Sequence, residues 1–438
     1  MPPELMTFHD HFLSLYQSAM DTVARSQPGA GTQLMRAATQ VAALKDAGAS
    51  IPQQAPAGFV PDAWTAARLA LQLLDAKLHG NDAEAAAIEA ELQDGNFDPN
   101  FAGTVVQYLQ YYGPDGTLRK PDYIPASPTM PVIPFKAAAT VAIMGDWGTG
   151  TTAAVNLAQQ MAQFDPDVII HLGDIYYSGT PEECNRNFAA ILNRTFDRSR
   201  VPIYNLAGNH DMYCGGVGYY GLLPTLNPLP LPAQPASFFC LRSADQRWQF
   251  IAIDTGRTDR DPFDVTTVLV EIDPQEEDWL AARIAEFSGK TILLSHHQFF
   301  SAFAQIGPAA QRDGSLTAYN PNLDKTFNRF VAAANAGGGT IAAWFWGHEH
   351  TLTVYQPYRG LDKGRCVGHG AVPVLVQDEA APLGKVLSPP SVISVPLGVD
   401  GQVHAHGFVI LRFGHDGSCR AGYYNDNNPD TPAYNEAL

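Results

Sequence analysis

In the stretch AAATVAIMGDWG, residues 137–148, a short apolar run is followed by Gly-Asp, and this plan decides the fold. Later segments repeat this plan: DPDVIIHLGD, VPIYNLAGNHD, QRWQFIAIDT, KTILLSHHQ and GTIAAWFWGHEH. Segments with helical spacing lie between several of them, namely TAAVNLAQQMAQF, EECNRNFAAILNRTF, PQEEDWLAARIAEF and NLDKTFNRFVAAANA. Apolar strands that alternate with helices predict α/β layers in which the strands are covered on both faces.

The chain has 438 residues, and this length predicts more than one domain. Residues 1–120 show apolar residues at three- and four-residue spacing and no catalytic cluster, so we expect a helical domain that packs or forms a homo-oligomer. Residues 121–136 are rich in proline and predict a linker. Residues 137–438 then form the α/β catalytic domain, and their long Gly- and Pro-rich stretch at 213–239 predicts a loop in the pocket wall.

The composition excludes several classes of function. Hydrophobic residues make up 45% and charged residues 16% of the chain, and the formal net charge is −17. Such a charge repels a nucleic-acid backbone, so no stable nucleic-acid binding is expected, and an anionic substrate needs local positive charge. The sequence shows no apolar stretch of membrane-spanning length and no signal-peptide pattern, which predicts a cytoplasmic protein unless a leader has been removed.

The cysteines favour reduced thiols. There are five of them, an odd number, and none forms a C-x-x-C pair. Cys214 and Cys240 flank one loop and could pair in an oxidising compartment, so their disulfide state is left open.

Side chains able to bind metal follow five of the predicted strands. They are Asp146, Asp174 with Tyr177, Asn209, His296, and His348 with His350. Ligands in α/β folds bind beyond the carboxyl ends of the strands, so these side chains are expected to meet. Alternation along an extended segment puts both histidines of GHEH on one side. Carboxylate, phenolate, imidazole and amide oxygen suit iron, zinc or manganese, and a carboxylate such as Asp174 can bridge two ions.

The ordered motifs GDxG, GDxxY, GNH(D/E), xxxH and GHxH resemble those of the calcineurin-like metallophosphoesterases over residues 137–415. The tyrosine three residues after Asp174 is similar to that of the purple acid phosphatase branch. The first motif departs from most of the superfamily, because Gly148 stands where a ligand histidine is usual. The resemblance implies a four-layer α-β-β-α sandwich, here with an N-terminal helical domain. It implies an Fe(III) site of Asp146, Tyr177, His350 and bridging Asp174, and an Fe(II), zinc or manganese site of Asn209, His296, His348 and Asp174.

The resemblance also implies an activity. It predicts a dinuclear-metal hydrolase of phosphate esters, most simply an acid phosphatase that acts on small phosphorylated substrates with a metal-bound hydroxide as nucleophile. His210 would assist the leaving group and Asp211 would orient His210. His297 would contact substrate or support the ligands, and Tyr176 is expected only to pack.

One departure keeps alternatives open. The chain continues as QFFSAFAQIGP after His297, where plant purple acid phosphatases carry further histidines. A pocket lined by residues 213–239, Phe299 and Phe300 would accept bulkier esters. A phosphodiesterase or nucleotide hydrolase is therefore one alternative, and a non-catalytic binding protein on the same fold is another.

Overall fold

The structure is a computed structural model that describes residues 116–262, 268–303, 317–374, 388–400 and 403–438, together with residue 306 and parts of the first 115 residues. The predicted helical domain, residues 1–120, lies for the most part outside the described residues. Within it, residues 83–88 are helical.

Two sheets form the centre of the described structure. One has eight strands in the order β1 (Val132–Phe135), β5 (Phe239–Ser243), β6 (Trp248–Ala252), β7 (Lys290–Leu294), β8 (Thr340–Trp346), β10 (Gly364–Val367), β9 (Leu352–Tyr355) and β11 (Val392–Ile393). The other has six, in the order β16 (Tyr434–Ala437), β15 (Cys419–Asn425), β14 (Gly407–Phe413), β2 (Thr140–Met144), β3 (Val168–His171) and β4 (Ile203–Asn205). Strands β12 (Val399–Asp400) and β13 (Val403–His404) form a small hairpin.

The predicted alternation of strands and helices is confirmed after residue 136. Strands β2, β3 and β4 are parallel neighbours, as are β6, β7 and β8. The helices are α1 (Thr152–Ala162), α2 (Pro181–Glu183), α3 (Ala190–Thr195), α4 (Asn209–Met212), α5 (Val217–Leu226), α6 (Pro274–Ala285) and α7 (Pro321–Gly337), with a π-helical stretch, Cys184–Ala189, between α2 and α3. Helices α6 and α7 begin with Pro274 and Pro321, each directly after a capping side chain, Asp273 and Asn320.

The layers follow from alternation along the strands. In β2, Val141 and Ile143 face the core between the two sheets, whereas Ala142 and Met144 pack under α1 and α3. In β8, Phe345 joins the core between the sheets, whereas Trp344 and Trp346 pack on the side of α6 and α7. The result is the predicted four-layer α-β-β-α sandwich. Because most strands are buried on both faces, their sequences are nearly continuous apolar runs.

Two boundaries differ from the sequence predictions. Part of the predicted linker is strand β1, which pairs in parallel with β5 at the edge of the large sheet. The stretch 213–239, predicted as a loop, contains helix α5 in spite of its Gly and Pro content. A Cβ on Gly218 would lie 2.1 Å from the Gly179 carbonyl oxygen, so glycine here allows α5 to pack against the start of α2. The glycine that suggested a loop is therefore required for the packing of a helix.

The structure bears on the disulfide state of the cysteines and on membrane-spanning helices. All five cysteines are free. The Cys214 thiol donates to the Gly179 carbonyl at 3.4 Å and the Cys240 thiol lies 3.6 Å from Gln249 Oε1, so the two have separate environments. Across the residues that the structure describes, no helix is long and apolar enough to cross a membrane.

Candidate metal centre

The strand ends of both sheets meet at one place. Strands β2 and β3 end before Asp146 and Asp174, and β4 leads into α4, whose first residue is Asn209. From the other sheet, β7 ends before His296, and β8 ends before His348 and His350. Four of these residues have positive φ: Asp146 (55°), Asp174 (74°), His348 (67°) and His350 (28°). Non-glycine residues rarely adopt this conformation, and they do so mainly where a site requires it.

The first group of donors surrounds the hydroxyl of Tyr176. This hydroxyl donates toward Asp146 Oδ1 and Asp174 Oδ2, each at 3.1 Å, and lies 3.0 Å from His350 Nε2. His350 Nε2 is also 3.4 Å from Asp146 Oδ1. The second carboxylate oxygen of Asp146 accepts from the His348 amide at 2.8 Å, which fixes the direction of the side chain.

The second group of donors converges on the amide oxygen of Asn209. Asn209 Oδ1 lies 3.0 Å from His296 Nε2 and 3.1 Å from His348 Nδ1. His296 Nε2 is 3.4 Å from Asp174 Oδ2, so Asp174 borders both groups. The amide nitrogen of Asn209 donates to the Tyr213 hydroxyl at 2.7 Å, which orients the oxygen toward the histidines.

The chemistry of these donors fits a bound cation. His296 Nδ1 lies 3.0 Å from the Leu172 carbonyl, which can only accept, so Nδ1 carries the proton and Nε2 presents a lone pair. Burial holds the pKa of His296 well below its ordinary value, so the ring is neutral. The Nε2 lone pair therefore faces the acceptor oxygen of Asn209, and a positive ion removes this conflict.

The carboxylates point to the same conclusion. Asp146 and Asp174 are completely buried side by side. Burial raises the pKa of Asp174 well above its ordinary value, and the neighbouring Asp146 and Asp211 carboxylates raise it further. A cation between the two donor groups would allow Asp146 and Asp174 to be ionised together.

The tyrosine of this site differs from the one predicted. We expected Tyr177 as the ligand and Tyr176 in packing, but the structure puts the Tyr176 hydroxyl among the carboxylates. The packing prediction for Tyr176 is wrong. The backbone of Tyr177 contacts two other residues. Its amide donates to Glu183 Oε1 at 2.7 Å, and its carbonyl lies 2.7 Å from His210 Nδ1.

His210 lies beside the first donor group, but Asp211 does not orient it. The ring of His210 is 4.4 Å from that of Tyr176, and its Nδ1 is held by the Tyr177 carbonyl. Asp211 Oδ2 instead accepts from the Gly208 amide at 2.8 Å and the Asp174 amide at 3.0 Å. The predicted orienting role of Asp211 is therefore wrong, because its side chain points back to the loops that carry Asn209 and Asp174.

His297 lies next to the second donor group. Its ring is 4.4 Å from that of His348 and 4.8 Å from that of His296. Its Nδ1 lies 3.0 Å from Thr255 Oγ1, and its Nε2 lies 3.0 Å from Asp259 Oδ2. His297 is thus held by a loop that follows β6, and a contact with substrate stays a prediction.

The structure corrects the predicted pocket wall. Phe299 and Phe300 are completely buried, with Phe299 stacked on Trp344, so they do not line a pocket. Sequence reasoning missed Tyr213, Thr255 and Asp259. Tyr213 could have been found, since it lies four residues after Asn209 and therefore on the same side of a helical turn. Asp259 had no local signal, because only the fold brings it to His297.

A two-sheet sandwich with these side chains at its strand ends has the fold of a metallophosphoesterase. Residues 139–352 match the sequence profile of the calcineurin-like phosphoesterase family, and this region, which holds all the donors described above, belongs to that family. No curated relative matches the chain by sequence.

Several solved structures are similar to this chain. The purple acid phosphatase PPD1 from yellow lupin (Lupinus luteus) seeds has 16% identity and a TM-score of 0.44, over 70% of this chain and 55% of that chain. GAP50, the anchor in the inner membrane complex of Plasmodium, has 12% identity and a TM-score of 0.46, over 69% of this chain and 89% of that chain. The present chain thus covers little more than half of the lupin enzyme, and identities this low do not specify a substrate.

Proposed function

We propose that the protein is a purple acid phosphatase-like phosphomonoesterase that uses two metal ions. The observation that carries the proposal is the pair of donor groups that share Asp174. Tyr176, Asp146 and His350 would hold the first ion, which the tyrosine oxygen suits to Fe(III). Asn209, His296 and His348 would hold the second, for which Fe(II), zinc and manganese are the candidates.

The remaining chemistry falls to residues beside the donors. When bound, the metal ions would supply an activated water and neutralise the negative charge of a phosphate ester. The Tyr177 carbonyl holds a proton on Nδ1 of His210, so when the ring is protonated on both nitrogens, Nε2 is the atom that can give a proton to the leaving oxygen. The loop contacts of His297 hold its ring beside His348, where it can help to position a phosphate.

A monoester is favoured over a diester as substrate. A wide apolar pocket would need Phe299 and Phe300 in its wall, and both are buried in the core. Two of the side chains beside the donor groups, His210 and His297, are hydrogen-bonded imidazoles, which suits a small, highly charged phosphate.

The test is a matched pair of initial rates. The metal-loaded protein would be given p-nitrophenyl phosphate and bis-p-nitrophenyl phosphate from acid to neutral pH, and we expect faster cleavage of the monoester. Asp174→Asn should abolish turnover and metal retention, whereas Asp165→Asn, at an exposed ion pair with Arg200, should change neither. Faster diester cleavage would reassign the substrate class. Bound metal without turnover of either ester would leave a binding protein on this fold.

A further inference from the structure

This strongly acidic protein contains a pocket whose lining is mainly positive in charge. A cavity of about 580 Å³ is lined by Lys120, Arg257 and Arg260, with Glu271 as its acidic residue. The whole chain carries a formal net charge of −17, so three cations around one cavity are a local reversal of sign. Such a reversal focuses anionic ligands at one place on an otherwise repulsive surface.

The loop that lines this pocket also reaches the metal centre. Asp259 lies in sequence between the two arginines, and its carboxylate contacts His297 Nε2 at 3.0 Å. The ring of His297 is in turn 4.4 Å from the ring of His348. The loop that carries Arg257 and Arg260 therefore also holds His297, through Thr255 and Asp259, which are both almost fully buried.

A second connection runs through Arg260. Its guanidinium lies 5.2 Å from the ring centre of Tyr112. The Tyr112 hydroxyl donates to the Met212 carbonyl at 2.8 Å, two residues after His210. Arg260 is thus near the helix that carries Asn209 and His210 as well as near the loop that holds His297.

The arginines differ in how they are held. Arg257 pairs with Asp273 at 3.1 Å and lies over the Tyr123 ring at 4.1 Å, so its position is fixed. Among the residues that the structure describes, Arg260 forms no ion pair. A partly exposed guanidinium that stacks on an aromatic ring and keeps its donors available is well suited to a phosphate, which it can bind in bidentate geometry.

We propose that this pocket binds the second phosphate of a bisphosphorylated substrate while the metal centre hydrolyses the first. The inference rests on the proposed function and narrows its substrate class. Lys120 and Arg260 supply the charge for the distal phosphate, and Arg257 defines the wall of the pocket.

The test measures inhibition of p-nitrophenyl phosphate hydrolysis by alkanediol bisphosphates with two to eight carbons and by alkyl monophosphates of the same lengths. For at least one length we expect the bisphosphate to have a lower inhibition constant than its monophosphate by roughly tenfold, the size of one charge-assisted contact. Arg260→Gln and Lys120→Gln should each reduce this ratio to below roughly threefold. Arg200→Gln, an exposed arginine paired with Asp165, should leave it unchanged.

A ratio near one at every length in the unmodified protein would overturn the proposal, as would a ratio that survives both pocket variants. Thermal melting of each variant checks that it folds. Because two pocket variants are tested, the conclusion still stands if one of them fails to fold. If p-nitrophenyl phosphate is not hydrolysed, the proposed function fails instead. Calorimetric binding of the same series to the metal-loaded protein then decides whether the pocket itself prefers two phosphates.

Discussion

The Tyr176 hydroxyl is the atom on which the first donor group depends. It lies 3.1 Å from a carboxylate oxygen of Asp146 and of Asp174, and 3.0 Å from His350 Nε2. A neutral hydroxyl can donate its single proton to only one of these acceptors at a time. A phenolate that shares a cation with both carboxylates satisfies all of them, which is why we assign the ligand to Tyr176.

Substitution of the two neighbouring tyrosines separates the alternatives. In iron-loaded protein, Tyr176→Phe should remove the visible phenolate-to-iron absorption, and Tyr177→Phe should retain it. Absorption spectra with parallel metal analysis give the answer without any activity measurement. Loss of the band only in Tyr177→Phe would restore the residue that the motif spacing predicted.

His210 is expected to act on the leaving group rather than on the metals. His210→Ala should lower kcat by roughly 10²-fold or more, because it removes a positioned proton donor, and both metals should be retained. The control is His415→Ala, at an exposed position. Steady-state rates and elemental analysis of the same samples test this, and loss of one metal equivalent would make His210 a ligand.

The sequence predicted residue types better than side-chain directions. Asp146, Asp174, Asn209, His296, His348 and His350 are brought together as the motifs implied. The prediction failed for Asp211 because its carboxylate accepts from the backbone amides of Gly208 and Asp174, which no local pattern reveals. It failed for Tyr176 because the backbone leaves regular geometry at Asp174. At Asp174, φ is 74°, so counting three residues along the chain no longer predicts which hydroxyl faces the site.

At the scale of elements, glycines allow the motif loops to touch. A Cβ on Gly208 would lie 2.0 Å from Asp174 Oδ1 and 2.7 Å from the Asp174 amide nitrogen. A Cβ on Gly148 would lie 2.7 Å from the Asp174 carbonyl oxygen. The turn after β2 and the start of α4 thus both require the absence of a side chain next to Asp174. The glycine of the first motif is therefore needed for close packing.

Gly208→Ala should displace Asp174 and destabilise the protein by about 1–3 kcal/mol, the usual range for overpacking. Metal retention should fall with it. The matched control is Gly221→Ala in α5, where a Cβ would meet nothing within 4 Å and a gain of about 0.5–1 kcal/mol is expected from the helical position. Thermal melting and metal analysis of both variants check the prediction. Equal stability of the two would show that the loops can move apart.

Helix α6 carries a buried acid that should make stability depend on pH. Glu276 is 1% exposed, and its pKa is raised well above 4.5 by burial first and by the Asp254 carboxylate second. The folded state therefore holds this proton more tightly than the unfolded state. Its contribution to stability is present below about pH 4.5 and is lost as pH rises through the folded pKa.

Glu276→Gln removes this titration. The melting temperature of the variant relative to the unmodified protein should therefore rise with pH above about 4.5, by roughly 2 °C or more for each 1 kcal/mol involved. Melting curves at closely spaced pH values measure the difference. A gap that stays constant or narrows as pH rises would contradict the raised pKa.

Most elements could be predicted because they obey one simple pattern. Strands β2, β3, β7 and β8 are apolar runs, covered on both faces, that stop where a ligand must project. Helix α5 could not be predicted in this way, because Gly218 and Pro224 are residues that favour loops. Its geometry is set by tertiary packing of residues such as Tyr219 and Leu223, whose burial cannot be read from local propensity.

At the scale of the whole molecule, the donors of the candidate metal centre stay together only while both sheets hold their relative positions. The small sheet supplies Asp146, Asp174 and Asn209, and the large sheet supplies the histidines. The core between them is continuous, with Ile143 and Ile170 from one sheet and Leu294 and Phe345 from the other in one cluster. A substitution that loosens this core should therefore affect the metal centre as well as stability.

Residues before the sandwich also support the centre. The Tyr112 hydroxyl is buried and donates to the Met212 carbonyl at 2.8 Å, and the amide of Asp122 donates to the Gly215 carbonyl at 2.9 Å. A Cβ on Gly215 would lie 2.1 Å from the Tyr111 ring. The end of the predicted helical domain and the start of the predicted linker thus pack on the turn that follows Asn209 and His210.

This packing predicts different effects for the same change at adjacent tyrosines. Tyr112→Phe removes one of the two donors to the buried Met212 carbonyl, which keeps its bond from the Gly215 amide at 2.8 Å. It should cost about 0.5–1.5 kcal/mol, the net value of one hydrogen bond, and reduce kcat by loosening the helix that carries His210. Tyr111→Phe removes a 2.9 Å bond to the Lys120 carbonyl that water can replace, so its effect should stay within about 0.5 kcal/mol. Denaturant titrations and rates on p-nitrophenyl phosphate test the pair. If Tyr112→Phe lowers stability without changing kcat, the segment supports the fold and plays no part in positioning the site.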